Sequence, residues 1–354
     1  DLDNSTLTLG SATSDLKVSN TVTLDNSKEQ INAGSATLTL TGGLTLSSGS
    51  LTTNDGTISL GNASTVIAEG ILNASGGTLI LNAGLSVTGT LKTDSTTTLT
   101  LNNNALDLSG GQAGSGGVLE TSGNLTLDGM TFDDKTTIKL NTGTRLSSNA
   151  AFTVKTIELG TNWLMLGSDS TDLTIADNLT IECSSANVYS CGIGSGYADL
   201  TLNGPVDVQG SGISSNGGTV TFGAGAGETS FAEGTGMRLD NTTLELKTAL
   251  DLPFLKLSGT SSIQANGNTL SLGDLEIGID SELDLTNVET DNESDLRLIG
   301  NSAITKTGDF VFKEIKFNGY SLTLNTAITS LTAENIDLPT WDQNHPNYLA
   351  STGI

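Results

Sequence analysis

Apolar and polar residues alternate along this chain in short bursts, and the bursts recur at a fixed spacing. The cleanest stretch runs from Ala36 to Asp107 and reads ATLTLTGGLTLSSGSLTTNDG, TISLGNASTVIAEGILNASGG, TLILNAGLSVTGTLKTDST and TTLTLNNNALDLSG. Each copy opens with an alternating pair: Leu38 and Leu40, Ile58 and Leu60, Leu79 and Leu81, Leu99 and Leu101. The leading residue returns after 20, 21 and 20 residues. A period of two places the aliphatic side chains on one face of a strand and the threonines on the other. One copy cannot bury its own apolar face, so a period near twenty predicts stacked repeats that bury it together. If each copy is one coil, Leu38, Ile58, Leu79 and Leu99 lie above one another at roughly 4.8 Å, the separation of paired strands.

Two further apolar groups follow in each copy. Leu44 with Leu46, Leu85 with Val87 and Leu106 with Leu108 form the second, and Leu51, Leu72 and Leu91 the third. Three short sides per coil predict an all-β fold, a right-handed parallel β-helix with coils of roughly 20 to 27 residues. About fifteen coils are expected over residues 1–332, with 333–354 as a non-repetitive tail that caps the coil or begins another segment. Leu173 and Leu200 begin successive coils 27 residues apart. The Gly-Gly pairs at 42–43, 76–77 and 110–111, together with Asn54-Asp55-Gly56, offer the positive φ angles that corners need. Extra length collects in three expected loops, at 110–117, 183–196 and 223–236.

Composition sharpens this picture. Hydrophobic residues make up 35% of the 354 and aromatics 4%, too few for a compact globule but enough for a thin coil lined with small aliphatics. The net charge of −25, from 14 Lys and Arg against 39 Asp and Glu, repels phosphate backbones and argues against nucleic acid and anionic lipid as partners. No run of 18 apolar residues is present, so no helical membrane span is expected. The chain reads as a mature or excised piece of a longer secreted protein.

Cys183 and Cys191 are the two cysteines and share one insertion in the repeat. Eight residues apart, they are positioned to close a small disulfide in an oxidising compartment, the alternative being two free thiols. No His or third Cys accompanies them to make a metal site.

Enzymatic chemistry on such a coil would need clustered acids. The one histidine, His345, lies in the tail, which excludes a histidine-based site in the coil. Carboxylate pairs can still serve as acid and base. The best stacked pair is Asp172 and Asp199, each just before the apolar pair of its strand, with Asp207 nearby. Like charges one coil apart would raise a pKa or capture a cation such as Ca²⁺, whereas the plainer reading is two solvated aspartates at strand edges. Asp291, Glu293 and Asp295 alternate within Glu289 to Asp295 and form a second weak Ca²⁺ candidate. They lack the EF-hand pattern, and a solvated acidic turn is the better reading. Asp133-Asp134 is read as another turn.

Thr-x-Thr recurs, as in Thr37 and Thr39 or Thr98 and Thr100, a pattern that on a flat face can order water or bind ice. Ile80, Lys139 and Asp199 break the threonine ranks, and threonine is in any case a good strand former. Asn-x-Ser/Thr sequons occur at Asn4, Asn62, Asn73, Asn124, Asn178, Asn241 and Asn292, as chance allows in so Asn- and Thr-rich a chain.

The segments TLTLTGGLTLSSGSLTTNDGTISLG and NLTLDGMTFDDKTTIKLNTGTRL resemble the passenger regions of bacterial secreted adhesins of the filamentous-haemagglutinin and autotransporter type. The resemblance is one of repeat composition and covers nearly the whole chain. It implies a long surface β-helix that holds binding regions away from a cell, and it carries no binding residue over to this sequence. The expectation is a non-enzymatic, extracellular structural adhesin that needs no cofactor. Its partner would be a glycan or protein on a host or neighbouring cell, or another copy of itself. A subunit of an end-to-end filament comes next, because terminal strands invite strand addition, and a polysaccharide lyase or hydrolase third.

Overall fold

The computed structural model describes the chain outside residues 1, 3, 11–13, 62–64, 68–69, 95, 103, 109–116, 168–170, 182–191, 211, 280–281, 307, 326–327, 339–348 and 352–354. Parallel sheets stack coil upon coil into a β-solenoid of about 14 turns, with 55% of residues in strands. Among the described residues there is no α-helix, and none is long and apolar enough to cross a membrane. Two compact units divide the chain, Asp1–Leu164 and Met165–Ile354.

The first unit carries three short sides per coil. One side begins with Thr6–Thr8, Gln30–Asn32, Ser50–Thr52 and Ile71–Asn73 and continues with Thr90–Asp94, Val118–Ser122, Thr137–Leu140 and Thr156–Glu158. Their register stacks Leu7, Ile31, Leu51, Leu72, Leu91, Leu119, Ile138 and Ile157 into one column. From Ile31 onward every rung is 4% exposed or less. A second side, from Leu16–Val18 to Thr98–Thr100, pairs Leu38 with Ile58, Ile58 with Leu79 and Leu79 with Leu99, the rank that the twenty-residue period predicts. The third includes Val22–Leu24, Leu44–Leu46 and Leu85–Val87. Since each fully buried Leu or Ile contributes roughly 1.5–3 kcal/mol, the aliphatic columns are the main source of cohesion between coils.

The second unit keeps the column logic and changes the outline. Strands of nine or ten residues, Leu250–Gly259, Leu270–Ile279, Gly308–Lys316 and Ile328–Asp337, replace two short sides by one long one. Ile193, Ile213, Met237, Leu255, Leu275, Leu296, Ile315 and Ile336 form its main column. Buried Phe310, Phe312 and Phe317 thicken the core near the end. Pairing of Ile328–Asp337 with Gly308–Lys316 carries the ladder to Asp337, and Leu349–Ser351 pairs with Leu322–Leu324. The stretch 223–236, expected to be a loop, instead holds a 3₁₀ turn at Ala224–Glu228 with Ala226 buried. A short strand, Ser230–Phe231, then rejoins the sheet beside Val208. One buried alanine and one aromatic give this Gly-rich stretch enough apolar contact to stay on the coil.

Corners use asparagine as well as glycine. Gly43 and Gly76 adopt positive φ as the Gly-Gly pairs predict, and Asp55 does so within Asn54-Asp55-Gly56. Asn102, Asn266 and Asn318 take the same left-handed conformation, which asparagine tolerates better than most residues with a Cβ. Two residues after such a position, Asn104, Asn162 and Asn268 each donate Nδ2 to the carbonyl three residues back and to a carbonyl of the preceding coil. The corner is thereby tied to its neighbour along the stack.

Candidate functional site

Asp172 and Asp199 are in register, because Leu173 pairs with Leu200. Each carboxylate faces a backbone donor one coil on. Asp172 Oδ1 accepts the N–H of Asp199 at 2.8 Å, and Asp199 Oδ1 accepts the N–H of Thr219 at 2.6 Å. The same device recurs from Asp15 to Thr37, Asn124 to Arg145, Asp128 to Asn149, Asn241 to Thr260, Asp274 to Asp295 and Asn301 to Ser321. In each case a side-chain oxygen accepts a backbone N–H of the next coil, most often at a strand entrance as with Asp15, Asp172 and Asp199, the role an N-cap residue has in a helix. Stacking of the aspartates is therefore a link between coils. Asp207 lies in a different sheet, where its carboxylate accepts from Ser230 and Gln209, so the structure does not assemble the three acids into one cluster.

Asp291, Glu293 and Asp295 also diverge. Asp291 Oδ1 accepts the N–H of Glu293 and the hydroxyl of Ser294, and these bonds, the Glu293 N–H first, hold its carboxyl below the usual range. Glu293 faces Lys313 at 3.3 Å, and Asp295 faces Lys316 at 2.9 Å. Ser294, buried, donates to the carbonyl of Leu272 in the coil before. Asp94 with Thr97 and Asp133 with Thr136 repeat this box, the threonine hydroxyls reaching Ala74 and Leu108. The signal, Asp-x-x-Ser/Thr at a corner, was present in the sequence, although its role in clipping coils together was not evident there. Among the described residues no three His, Cys, Asp or Glu side chains group so as to hold a metal ion. Cys183, Cys191, His345 and residues 110–116 lie outside the described residues.

Two outward features emerge only from the register. Thr37, Thr57, Thr78 and Thr98 form an unbroken column, but its neighbour reads Thr39, Ser59, Ile80 and Thr100, so the regular array stops after one rank. On another side Lys92, Glu120, Lys139 and Glu158 alternate in sign along the stack. Burial works against the charge on Glu120, yet hydrogen bonds from Asn141 and Lys92, at 2.9 Å each, outweigh it and hold the carboxyl below the usual range.

A concave surface lies in the second unit. A groove of about 750 Å³ is lined by Glu233, Arg238, Pro253, Phe254, Lys256, Asp274 and Glu276, and a smaller hollow continues it to Asp295 and Arg297. Two register columns build it. One reads Gly192, Gly212, Gly236, Phe254, Asp274, Asp295 and Glu314. The other reads Arg238, Lys256, Glu276, Arg297 and Lys316. Phe254 is thus the first side chain after three glycine rungs. A Cβ on Gly273 would stand 2.4 Å from the carbonyl oxygen of Pro253, so glycine there lets adjacent coils close up under the groove. The guanidinium of Arg238 sits 5.2 Å from the centre of the Phe254 ring. Glu276 bridges Lys256 at 3.7 Å and Arg297 at 3.0 Å. Sequence reasoning missed this place, because its residues are neighbours only through coil register.

Compared with known protein families, curated proteins and solved structures, the chain matches none.

Proposed function

We propose that this chain is a non-enzymatic, extracellular structural adhesin, a stiff bacterial cell-surface β-solenoid that presents side-chain surfaces for attachment. The carrying observation is the placement of the one defensible acid pair: Asp172 and Asp199 each accept a backbone N–H of the following coil. Groups so committed link the stack and are poorly placed to move protons. Side chains on a rigid repeat are held in fixed positions, which lowers the entropy cost of binding a surface. The test is adhesion of beads coated with the purified chain to epithelial and bacterial cell layers, run beside an assay for reducing or unsaturated sugar ends released from polysaccharides. Adhesion that survives Asp172→Asn, Asp199→Asn and Asp207→Asn, without sugar release, supports the reading. Sugar release abolished by Asp199→Asn would replace it with a lyase or hydrolase.

A second reading, an end-to-end filament, draws on Ile336, the most C-terminal rung of the main column among the described residues. Ile336 is 54% exposed, whereas its partner Ile315 is 1% exposed. Light scattering that rises with protein concentration and falls in Ile336→Asp would favour it.

A further inference from the structure

We infer that the groove around Phe254 is a binding site for a neutral, linear oligosaccharide, an inference that rests on the adhesive reading and gives it a ligand class. Its lining spans four consecutive coils, from Glu233 and Arg238 through Phe254 and Asp274 to Arg297. Three intercoil steps make this on the order of 14 Å, and the volume lies in the range of ligand clefts. The shape is an open trough along the stack, suited to a chain segment that enters and leaves.

The chemistry of the walls selects the occupant. Phe254, with the Arg238 guanidinium over one face of its ring, and Pro253 supply an apolar floor against which the C–H face of a sugar ring can rest. Glu233 and Asp274 offer carboxylate acceptors for hydroxyl groups, and Arg238 and Lys256 offer donors. A hydroxyl needs both kinds of partner, and the register places the acceptors Asp274 and Asp295 beside a column in which Arg238, Lys256 and Arg297 donate. Charge along the groove is nearly balanced, with Arg238, Lys256 and Arg297 against Glu233, Asp274, Glu276 and Asp295, and Glu276 is already paired to two of the cations. In a chain of net charge −25 such a site gives a polyanion no advantage. An extended peptide is disfavoured for a different reason. The strands under the groove are paired on both sides, so no free backbone edge remains for strand addition.

The test is an array and calorimetric titration of the full chain with neutral hexasaccharides (β-1,4-glucan, β-1,4-mannan, β-1,3-glucan and α-1,4-glucan). Polyuronate hexamers and hexapeptides serve as competing classes. The expected result is binding to a neutral oligosaccharide that is insensitive to salt and weakens about tenfold or more in Phe254→Ala and in Asp274→Asn. Asparagine still accepts the N–H of Asp295, so the second variant keeps the coil intact, and thermal melting checks both. Binding confined to polyuronates and lost with salt, binding confined to peptides, binding to nothing, or undiminished binding in both variants would overturn the inference. Cell adhesion that persists in Phe254→Ala while oligosaccharides fail would sink this site alone. Absence of adhesion in the unaltered chain would sink the adhesive reading itself.

Discussion

Replacing Leu79 by alanine tests the stacking argument most directly. Leu79 is wholly buried, with Ile58 on one side and Leu99 on the other in register. Truncation removes three carbons from a column that continues on both sides, so the neighbours cannot collapse without breaking their own pairing. The expected loss is about 3 kcal/mol, within the usual range for Leu→Ala in a packed core. In a solenoid this loss falls mainly on the coil concerned and its neighbours, because stability is close to a sum of repeat and interface contributions. The suitable assay is amide hydrogen exchange read strand by strand. Protection in Thr57–Leu60, Thr78–Leu81 and Thr98–Thr100 should fall roughly a hundredfold, whereas strands several coils away should keep theirs. Thr39→Asp is the control. That position faces outward between Lys17 and Ser59, and a carboxylate beside Lys17 should change protection by no more than about 0.5 kcal/mol. Equal loss in the two variants would refute the register, and a uniform loss along the whole chain would refute the nearest-neighbour account.

Asp199→Ala should lower the stability of its own and the adjoining coil by about 1 kcal/mol, as for loss of a capping residue, while Asp199→Asn should cost little; hydrogen exchange at Thr219 reports both. Glu120 has a depressed folded-state pKa, so its contribution is present above the ordinary glutamate value of 4.5 and is lost as pH falls through the lower folded value. Urea melts between neutral and acid pH should show that loss in the native chain and a flatter profile in Glu120→Gln. Lys306 is buried over the Phe310 ring, its ammonium donating to the carbonyl of Val288, and burial pushes its pKa below the ordinary 10.5. The slope has the same sign as for Glu120, stability rising with pH, but here the charged form is the destabilised one: the penalty for the buried charge is present below the folded pKa and is relieved as pH rises toward 10.5. Melting temperatures of Lys306→Met measured against the native chain should exceed it most at neutral pH, and a gain that grows with alkalinity would contradict the assignment.

The sequence by itself determined the inside of this protein. Alternation with period two and recurrence near twenty leave one economical way to bury Leu38, Ile58, Leu79 and Leu99, and the structure pairs them as that arithmetic requires. Inward positions declare themselves because only apolar residues are stable there, so their spacing survives changes in coil length. Outward positions carry no such constraint. Coils range from the 18 residues between Met237 and Leu255 to the 28 between Leu91 and Leu119, and a shift of one residue sends a side chain to another neighbour. The tertiary register therefore decided that Asp172 and Asp199 bond to backbone, and that Asp291, Glu293 and Asp295 face three separate partners. It also brought Arg238, Lys256, Glu276 and Arg297, far apart in the chain, into one row beside Phe254. Three glycine rungs before that ring put no side chain beside it in its own column, and no local pattern shows that they fall there, because contacts along a solenoid are set by which residues stack.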